Sequence, residues 1–300
     1  MARSSAAIDL PTATALLRAD LPQFAHLAVT LLGEGTDHLA LDLGGHYVFR
    51  FPKRPDTAAA LQSEARLTGW LAPVFPLAIP RYEFVRRLGQ DPAHSYAGYA
   101  KLPGTPALFR EAQHTPFAVV GPPLGTFLRR LHDMRVEEAR ALGVPVEDDP
   151  GLDEWAQEAL SDLALAVERG EVSTDAGRQW EHLLMTPPSP ETVAPCLIHG
   201  DLAAEHVLLD EQGTPTAVID WSDAEVGDPA RDLAGVLHWG GDGLLHLVLE
   251  TYGRVDERTL ERARWLAVCR ALGDLTYGAE NGLDAYVRAG KRALGWLSPP

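Results

Sequence analysis

Apolar residues change their spacing partway along the chain. Over residues 12–25 they recur every three to four positions, as on one face of a helix, and then the period shortens. Apolar runs at 27–32, 39–43 and 47–51 are separated by Gly33-Glu34-Gly35 and Gly44-Gly45, which predicts antiparallel hairpins. Residues 58–71 return to helical spacing, with Leu61, Ala65, Leu67 and Leu71 on the inner side, and 81–87 and 95–102 read as two more strands. From the turn signal Pro103-Gly104 onward the pattern is helical, at 117–134, 152–169, 174–185, 229–239, 243–252, 257–272 and 283–297. One stretch interrupts these helices. Cys196-Leu197-Ile198, Val207-Leu208-Leu209 and Ala217-Val218-Ile219 read as short strands, the last two joined by a turn at Gly213-Thr214-Pro215. The expectation is an α+β protein in two parts, a strand-rich one over 1–102 and a mainly helical one over 103–300 that carries a small β insert.

Composition sharpens this division. A chain of 300 residues with 46% apolar content can bury a sizeable core. Its formal charge of −16 argues against a nucleic-acid or anionic-membrane surface. The charge is uneven: residues 1–102 hold ten basic and nine acidic side chains, whereas 103–300 hold sixteen and thirty-three. Cys196 and Cys269 lie far apart in no Cys-x-x-Cys spacing, which suggests reduced, buried fillers. Residues 1–7 lack a signal-peptide pattern and no run approaches about 18 apolar residues, so a cytoplasmic location without a membrane span is expected.

The β insert is rich in His and Asp at its strand ends. His206 and Asp220 are equidistant from Gly213, so a hairpin centred there would set them face to face, with Cα atoms about 5 Å apart, close enough to share one cation. Asp201 lies on the irregular segment entering the hairpin. An imidazole and a carboxylate converging beside a second carboxylate suit metal-assisted transfer, one group coordinating and another handling a proton. On chemistry alone a metallohydrolase built on His199, Asp201, His206 and Asp220 stays open, since His is a less usual Mg²⁺ ligand than oxygen. Asp228-Pro229 reads as a helix cap followed by proline at the first helical position, and Asp232 as a brace for the same loop.

The runs His199-Gly200-Asp201-Leu202 with His206, Ile219-Asp220-Trp221, and Gly227-Asp228-Pro229-Ala230-Arg231-Asp232-Leu233-Ala234 resemble the signature of the aminoglycoside phosphotransferase family. The pattern is closest to the gentamicin-type kinases that modify the doubly primed ring. The resemblance implies a bilobal protein-kinase-like fold. It also implies that Asp201 positions or deprotonates the acceptor hydroxyl while His206 and Asp220 hold Mg²⁺. His206 stands where many members have Asn; a His there is found in the branches of macrolide kinases and certain gentamicin-type kinases. The match extends from about residue 31, with a thinner stretch reaching Tyr286.

By the same resemblance, Gly33 and Gly35 sit in the turn over the nucleotide phosphates, within Leu32-Gly33-Glu34-Gly35-Thr36-Asp37-His38. Arg50, in Phe49-Arg50-Phe51-Pro52-Lys53, replaces the usual phosphate-binding Lys, and Glu64 is its orienting partner. Guanidinium and ammonium differ in reach, which leaves phosphate geometry open. Lys53 is a solvent-exposed fallback. Tyr99, Ala100 and Leu102 fall at the hinge, where backbone groups would receive the purine of ATP or GTP. The acidic second part would attract a cationic small molecule, and Asp242, Glu280, Asp284 and Tyr286 are candidate contacts beside Asp201. An aminoglycoside ranks ahead of a macrolide, and both ahead of metabolic acceptors of the choline or homoserine type. A nucleotide-binding protein without transfer activity is the non-enzymatic alternative, motivated by Arg50.

Overall fold

In the computed structural model, residues 8–35, 37–86, 95–110, 116–147, 151–189 and 194–297 are described. The opening residues 1–7, Thr36 of the expected glycine turn and Arg87 of the strand expected over 81–87 lie outside them. Contacts divide the chain into two units, one of Met1–Val74, Ala78–Leu102 and Leu142–Val144, the other of Phe75–Leu77, Pro103–Ala141 and Pro145–Pro300.

The first unit opens with α1 (Leu10–Asp20), capped by Asp9, whose carboxylate accepts from Thr12 N at 2.9 Å. Sequence periodicity carries this helix to residue 25, but it stops at Asp20 and Pro22–Phe24 forms a short 3-10 turn. Proline lacks the amide proton that a continuing helix needs. Five antiparallel strands follow: β1 (Val29–Glu34), β2 (His38–Leu43), β3 (Tyr47–Pro52) and, after helix α2 (Pro55–Leu71), β4 (Tyr82–Arg86) and β5 (Tyr96–Ala100). Their order in the sheet is β1-β2-β3-β5-β4. Alternation along β3 decides what each face does. Phe49 and Phe51 join Leu17, Leu39, Leu41 and Tyr96 in one core, while Arg50 between them reaches Glu64 of α2. Gly98 of β5 has no side chain because a Cβ there would lie 2.4 Å from the Phe49 ring.

The second unit is built on helices α3 (Phe117–His132), α4 (Val136–Ala141), α5 (Asp153–Glu168), α6 (Thr174–Leu184), α7 (Ala230–Tyr252), α8 (Glu257–Asn281) and α9 (Asp284–Trp296). Five short strands accompany them: β6 (Thr105–Pro106), β7 (Cys196–Ile198), β8 (Val207–Leu209), β9 (Pro215–Val218) and β10 (Glu225–Gly227). They pair as β10-β7 and β6-β8-β9. The elements β6, α4 and β10 are too short to leave a period in the sequence. Helix α7 merges the two predicted at 229–239 and 243–252, with non-helical angles at Gly240 and Gly241 marking the break between them. Helix α8 runs past the expected residue 272 to Asn281, where Gly282 ends it in the left-handed region with φ 66°.

Helix α7 presses directly on the segment after β7. A Cβ at Gly235 would lie 1.4 Å from the carbonyl oxygen of Leu202, so only glycine permits this approach. Among the described residues, no helix is long and apolar enough to cross a membrane.

Candidate active site

Strand β7 ends at Ile198 and delivers His199, Gly200 and Asp201 into a tight turn. Gly200 has φ 83°, and a Cβ there would meet the Asp223 carbonyl oxygen at 2.1 Å, so the turn admits no side chain. The fully buried carboxylate of Asp232 accepts from His199 N and Gly200 N, each at 2.9 Å, and from His132 Nε2 at 3.0 Å. Burial pushes this carboxyl up, but the hydrogen bond and charge of His132 and the proximity of His199 outweigh it and hold the group below the usual carboxylate range. Asp228 caps the start of α7 through Ala230 N at 2.9 Å and pairs with buried Arg262 at 2.5 Å. Both aspartates thus fix the loop and helix that present Asp201.

The hairpin register differs from the symmetric one expected about Gly213. Val207 faces Val218, Leu208 faces Ala217 and Leu209 faces Pro215, and Ile219 N donates to His206 O at 2.9 Å. Ile219, not Asp220, is therefore opposite His206. The offset comes from the turn: Asp210 accepts from Gln212 N at 2.9 Å and Thr214 N at 2.8 Å, and the register shifts between Leu208 and Leu209. Asp220 still reaches the imidazole. It leaves the strand with φ 62°, the one positive φ of a non-glycine residue among those described, and its Oδ2 lies 3.8 Å from His206 Nε2.

His206 Nδ1 lies 2.7 Å from the Asp201 carbonyl oxygen, which can only accept, so that nitrogen carries a proton and the neutral ring turns a lone pair at Nε2 toward Asp220. Burial lowers the affinity of His206 for a second proton, but Asp201, Glu205 and Asp220 outweigh it and raise the pKa. His199 takes no part in this pairing: its Nε2 donates to Ile219 O at 3.0 Å and burial lowers its pKa. Among the described residues no three His, Cys, Asp or Glu side chains are grouped to hold a metal ion, so His206 and Asp220 stand as a two-donor pair.

Asp201 has one carboxylate oxygen on each side of a charged environment. Its Oδ1 lies 2.7 Å from Arg270 Nη1, and Oδ2 lies 3.6 Å from His206 Nδ1. Arg270 also pairs through Nη2 with Glu205 Oε1 at 2.9 Å. Burial pushes the Asp201 carboxyl up, yet Arg270 and His206 more than compensate and hold it below the usual range. Sequence reasoning missed Arg270 and Glu205. The available signal was a single cation inside the apolar run Val268-Cys269-Arg270-Ala271-Leu272.

Asp201 and Arg270 line a pocket of ≈ 250 Å³. Helix α5 contributes Trp155, Glu158 and Asp162 to it, and α8 contributes Asp274 and Tyr277. None of the four acceptor contacts proposed from sequence lines this pocket. Asp242 pairs with Arg264 on a different cavity, Glu280 pairs with Arg169 at 3.2 Å, and Asp284 lies in the first turn of α9. Tyr286 packs its ring against Tyr277 at 5.2 Å, which links it to the pocket wall indirectly.

In the first unit Arg50 Nη1 donates to both oxygens of Glu64, at 2.7 and 2.9 Å, in a buried pair. Tyr82 and His38 also lie against it, at 3.2 Å from Nη1 and 3.3 Å from Nη2, and neither was expected from sequence. Gly33 lies inside β1 opposite Ala40, beside a register shift after Leu31, rather than in the turn, whereas Gly35 follows the strand and its N donates to His38 O at 3.1 Å. Lys53 departs from its expected exposure: its side chain is 16% exposed and binds Glu34 at 2.9 Å and Gly35 O at 2.7 Å, tying down that turn. Tyr99 and Ala100 lie in β5 opposite Val48 and Tyr47, and Leu102 is the last residue of its stretch of the first unit.

Known proteins share this architecture. The model of the phosphotransferase enzyme family matches residues 28–266. Viomycin phosphotransferase of Streptomyces vinaceus is 37% identical over 89 residues, 29% of this chain and 31% of its own. The uncharacterized protein YcbJ of Bacillus subtilis is 26% identical over 204 residues, 64% of this chain and 62% of its own. The chain therefore spans less than two thirds of the length of these curated relatives. Over 94% of this chain and 97% of the other, the structure of the GDP and kanamycin complex of APH(2")-IIIa superposes with TM-score 0.69 at 25% identity. Macrolide 2'-phosphotransferase MphH from Brachybacterium faecium is 27% identical, with TM-score 0.61 over 95% of this chain and 99% of its own. A family match over most of the chain, on a fold shared with solved phosphotransferases, leads to one conclusion: this chain belongs to the phosphotransferase enzyme family.

Proposed function

We propose that this protein moves the γ-phosphoryl group of ATP or GTP to a hydroxyl of a cationic small molecule, with an aminoglycoside as the favoured acceptor. The observation that carries this reading is the position of Asp201, which lines a pocket containing Glu158, Asp162 and Asp274 and lies 3.6 Å from the imidazole paired with Asp220.

In this reading the acceptor hydroxyl donates to Asp201, whose carboxylate is held ionised by Arg270 and His206 and so is ready to accept. The hydroxyl oxygen forms a bond to the γ-phosphorus as the bond to the β–γ bridging oxygen breaks. The nucleoside diphosphate leaves, and the hydroxyl proton passes to Asp201 or to the transferred phosphoryl group. Positioning and charge stabilisation supply most of the acceleration in such transfers. Arg50, oriented by Glu64, is the phosphate cation of the first unit, with Gly33 and Gly35 in the covering hairpin and Tyr99, Ala100 and Leu102 contributing backbone groups to the purine.

His206 and Asp220 suit magnesium, which is commonly bound by one or two protein groups with water and phosphate oxygens completing its shell. His206 Nε2 and the Asp220 carboxylate lie 3.8 Å apart and would supply these two groups when the imidazole is neutral. When bound, magnesium neutralises phosphate charge. The relative solved as a GDP and kanamycin complex supports the nucleotide co-substrate.

The test is consumption of ATP and GTP against panels of aminoglycosides, macrolides and amino alcohols, with and without Mg²⁺. Nucleotide-dependent transfer to aminoglycosides supports the reading, and Mg²⁺-dependent binding without transfer to any acceptor refutes it. A macrolide is the second reading, favoured by the likeness to MphH and by Trp155 and Tyr277 in the pocket; the same panel separates the two.

A further inference from the structure

Arg270 is placed unlike an ordinary surface cation. It rises from the middle of α8, its side chain is 19% exposed, and it bridges two carboxylates, Asp201 Oδ1 at 2.7 Å and Glu205 Oε1 at 2.9 Å. Glu205 is itself buried and neighbours His206 in the chain, so the bridge spans the Asp201–His206 loop. The guanidinium is planar, and the two carboxylates meet different terminal nitrogens of it. A carboxylate held at one oxygen cannot swing freely, which leaves Oδ2 of Asp201 as the oxygen available to a hydroxyl. Of the ion-pairing side chains on the Asp201 carboxylate, Arg270 makes the shorter contact, 2.7 Å against 3.6 Å from His206.

We propose that Arg270, anchored by Glu205, is a positioning residue that fixes the orientation of the Asp201 carboxylate toward the acceptor. The inference rests on the phosphotransfer reading of Asp201 and adds to it the element that aims the group. A displacement of about 1 Å in a reacting group can lower a rate by about 10²-fold without touching the chemistry itself. A positioning role therefore predicts a loss in kcat with nucleotide affinity preserved, since none of the residues assigned to the nucleotide takes part in this bridge.

The experiment is steady-state phosphotransfer from ATP and GTP with Mg²⁺ to the panel of aminoglycosides, macrolides and amino alcohols, in the full chain and in Arg270→Met, Arg270→Lys and Glu205→Gln. Melting temperature and nucleotide KM are measured for each. Arg270→Met is expected to lose about 10²-fold in kcat with nucleotide KM within about twofold, Arg270→Lys to recover part of the loss, and Glu205→Gln to show a smaller loss in the same direction. Should Arg270→Met fail to fold, the Lys and Gln variants carry the test, and wild-type kcat in both overturns the proposal. Wild-type kcat in folded Arg270→Met, or a nucleotide KM that rises in step with the loss in kcat, also overturns it. A native chain that phosphorylates no acceptor of the panel refutes the phosphotransfer reading and this inference together, whereas an active native chain indifferent to Arg270 refutes this inference alone.

Discussion

Asp201, His206 and Asp220 come from three different local structures, a glycine-dependent turn, the start of a strand and a left-handed exit from the next strand, yet they meet within 4 Å of one another in sequence of contact. Replacing Asp201 by Asn keeps the shape and removes the charge, and phosphotransfer is expected to fall by about 10²–10⁴-fold. Near-native transfer would remove this residue from the reaction. Asp220→Asn is expected to abolish the Mg²⁺ dependence of nucleotide binding, which isothermal titration with and without the ion measures. Asp232 gives a pH prediction. An unfolded Asp titrates near 3.9, and the folded group titrates lower, so its contribution is fully present above the unfolded value and is lost as pH falls toward the folded one. Asp232→Asn should cost about 1–3 kcal/mol at neutral pH, and its deficit in melting temperature should shrink below about pH 4. A deficit independent of pH would contradict the assignment. Residue types and spacings made Asp201, His206 and Asp220 visible as candidates in the sequence. Arg270 and Glu205 were not visible, because their pairing depends on α8 crossing the loop, which no local pattern records.

At the scale of elements, alternation and periodicity predicted most strands and helices because most bury one face against a core, although β1 and β4 hold no fully buried residue. Failures came where local chemistry overrode the period. Pro22 cut α1 short, and the Asp210 side chain reset the β8–β9 turn by one residue. Asp220 compensates for that reset through its positive φ, so the pair survives a register that would otherwise have separated it. Gly235 is the most demanding contact between elements: α7 touches the Leu202 carbonyl where any side chain would collide. Gly235→Ala must move either the helix or the loop. We expect a loss of at least about 1–3 kcal/mol in stability, read by denaturant unfolding, with a parallel loss of nucleotide turnover. Native stability and turnover in this variant would show that the approach is looser than the structure makes it.

For the whole molecule, the charge count separates a nearly neutral first part from an acidic second part. Part of that acidity gathers around one pocket, where Glu158, Asp162, Asp201 and Asp274 outnumber Arg231 and Arg270, while Asp242 and Glu280 form ion pairs elsewhere. Sequence could show the imbalance but not its distribution, since placing α5 beside α8 is a property of the packed chain. The distribution is the reason for favouring a cationic acceptor. The most direct measurement is mass spectrometry of aminoglycoside acceptors after incubation with Mg²⁺ and ATP or GTP, comparing the native chain with Asp201→Asn. A phosphorylated acceptor is expected with the native chain and unmodified acceptor with the variant; unmodified acceptors with both, or equal phosphorylation by both, would overturn the role of Asp201 in phosphotransfer.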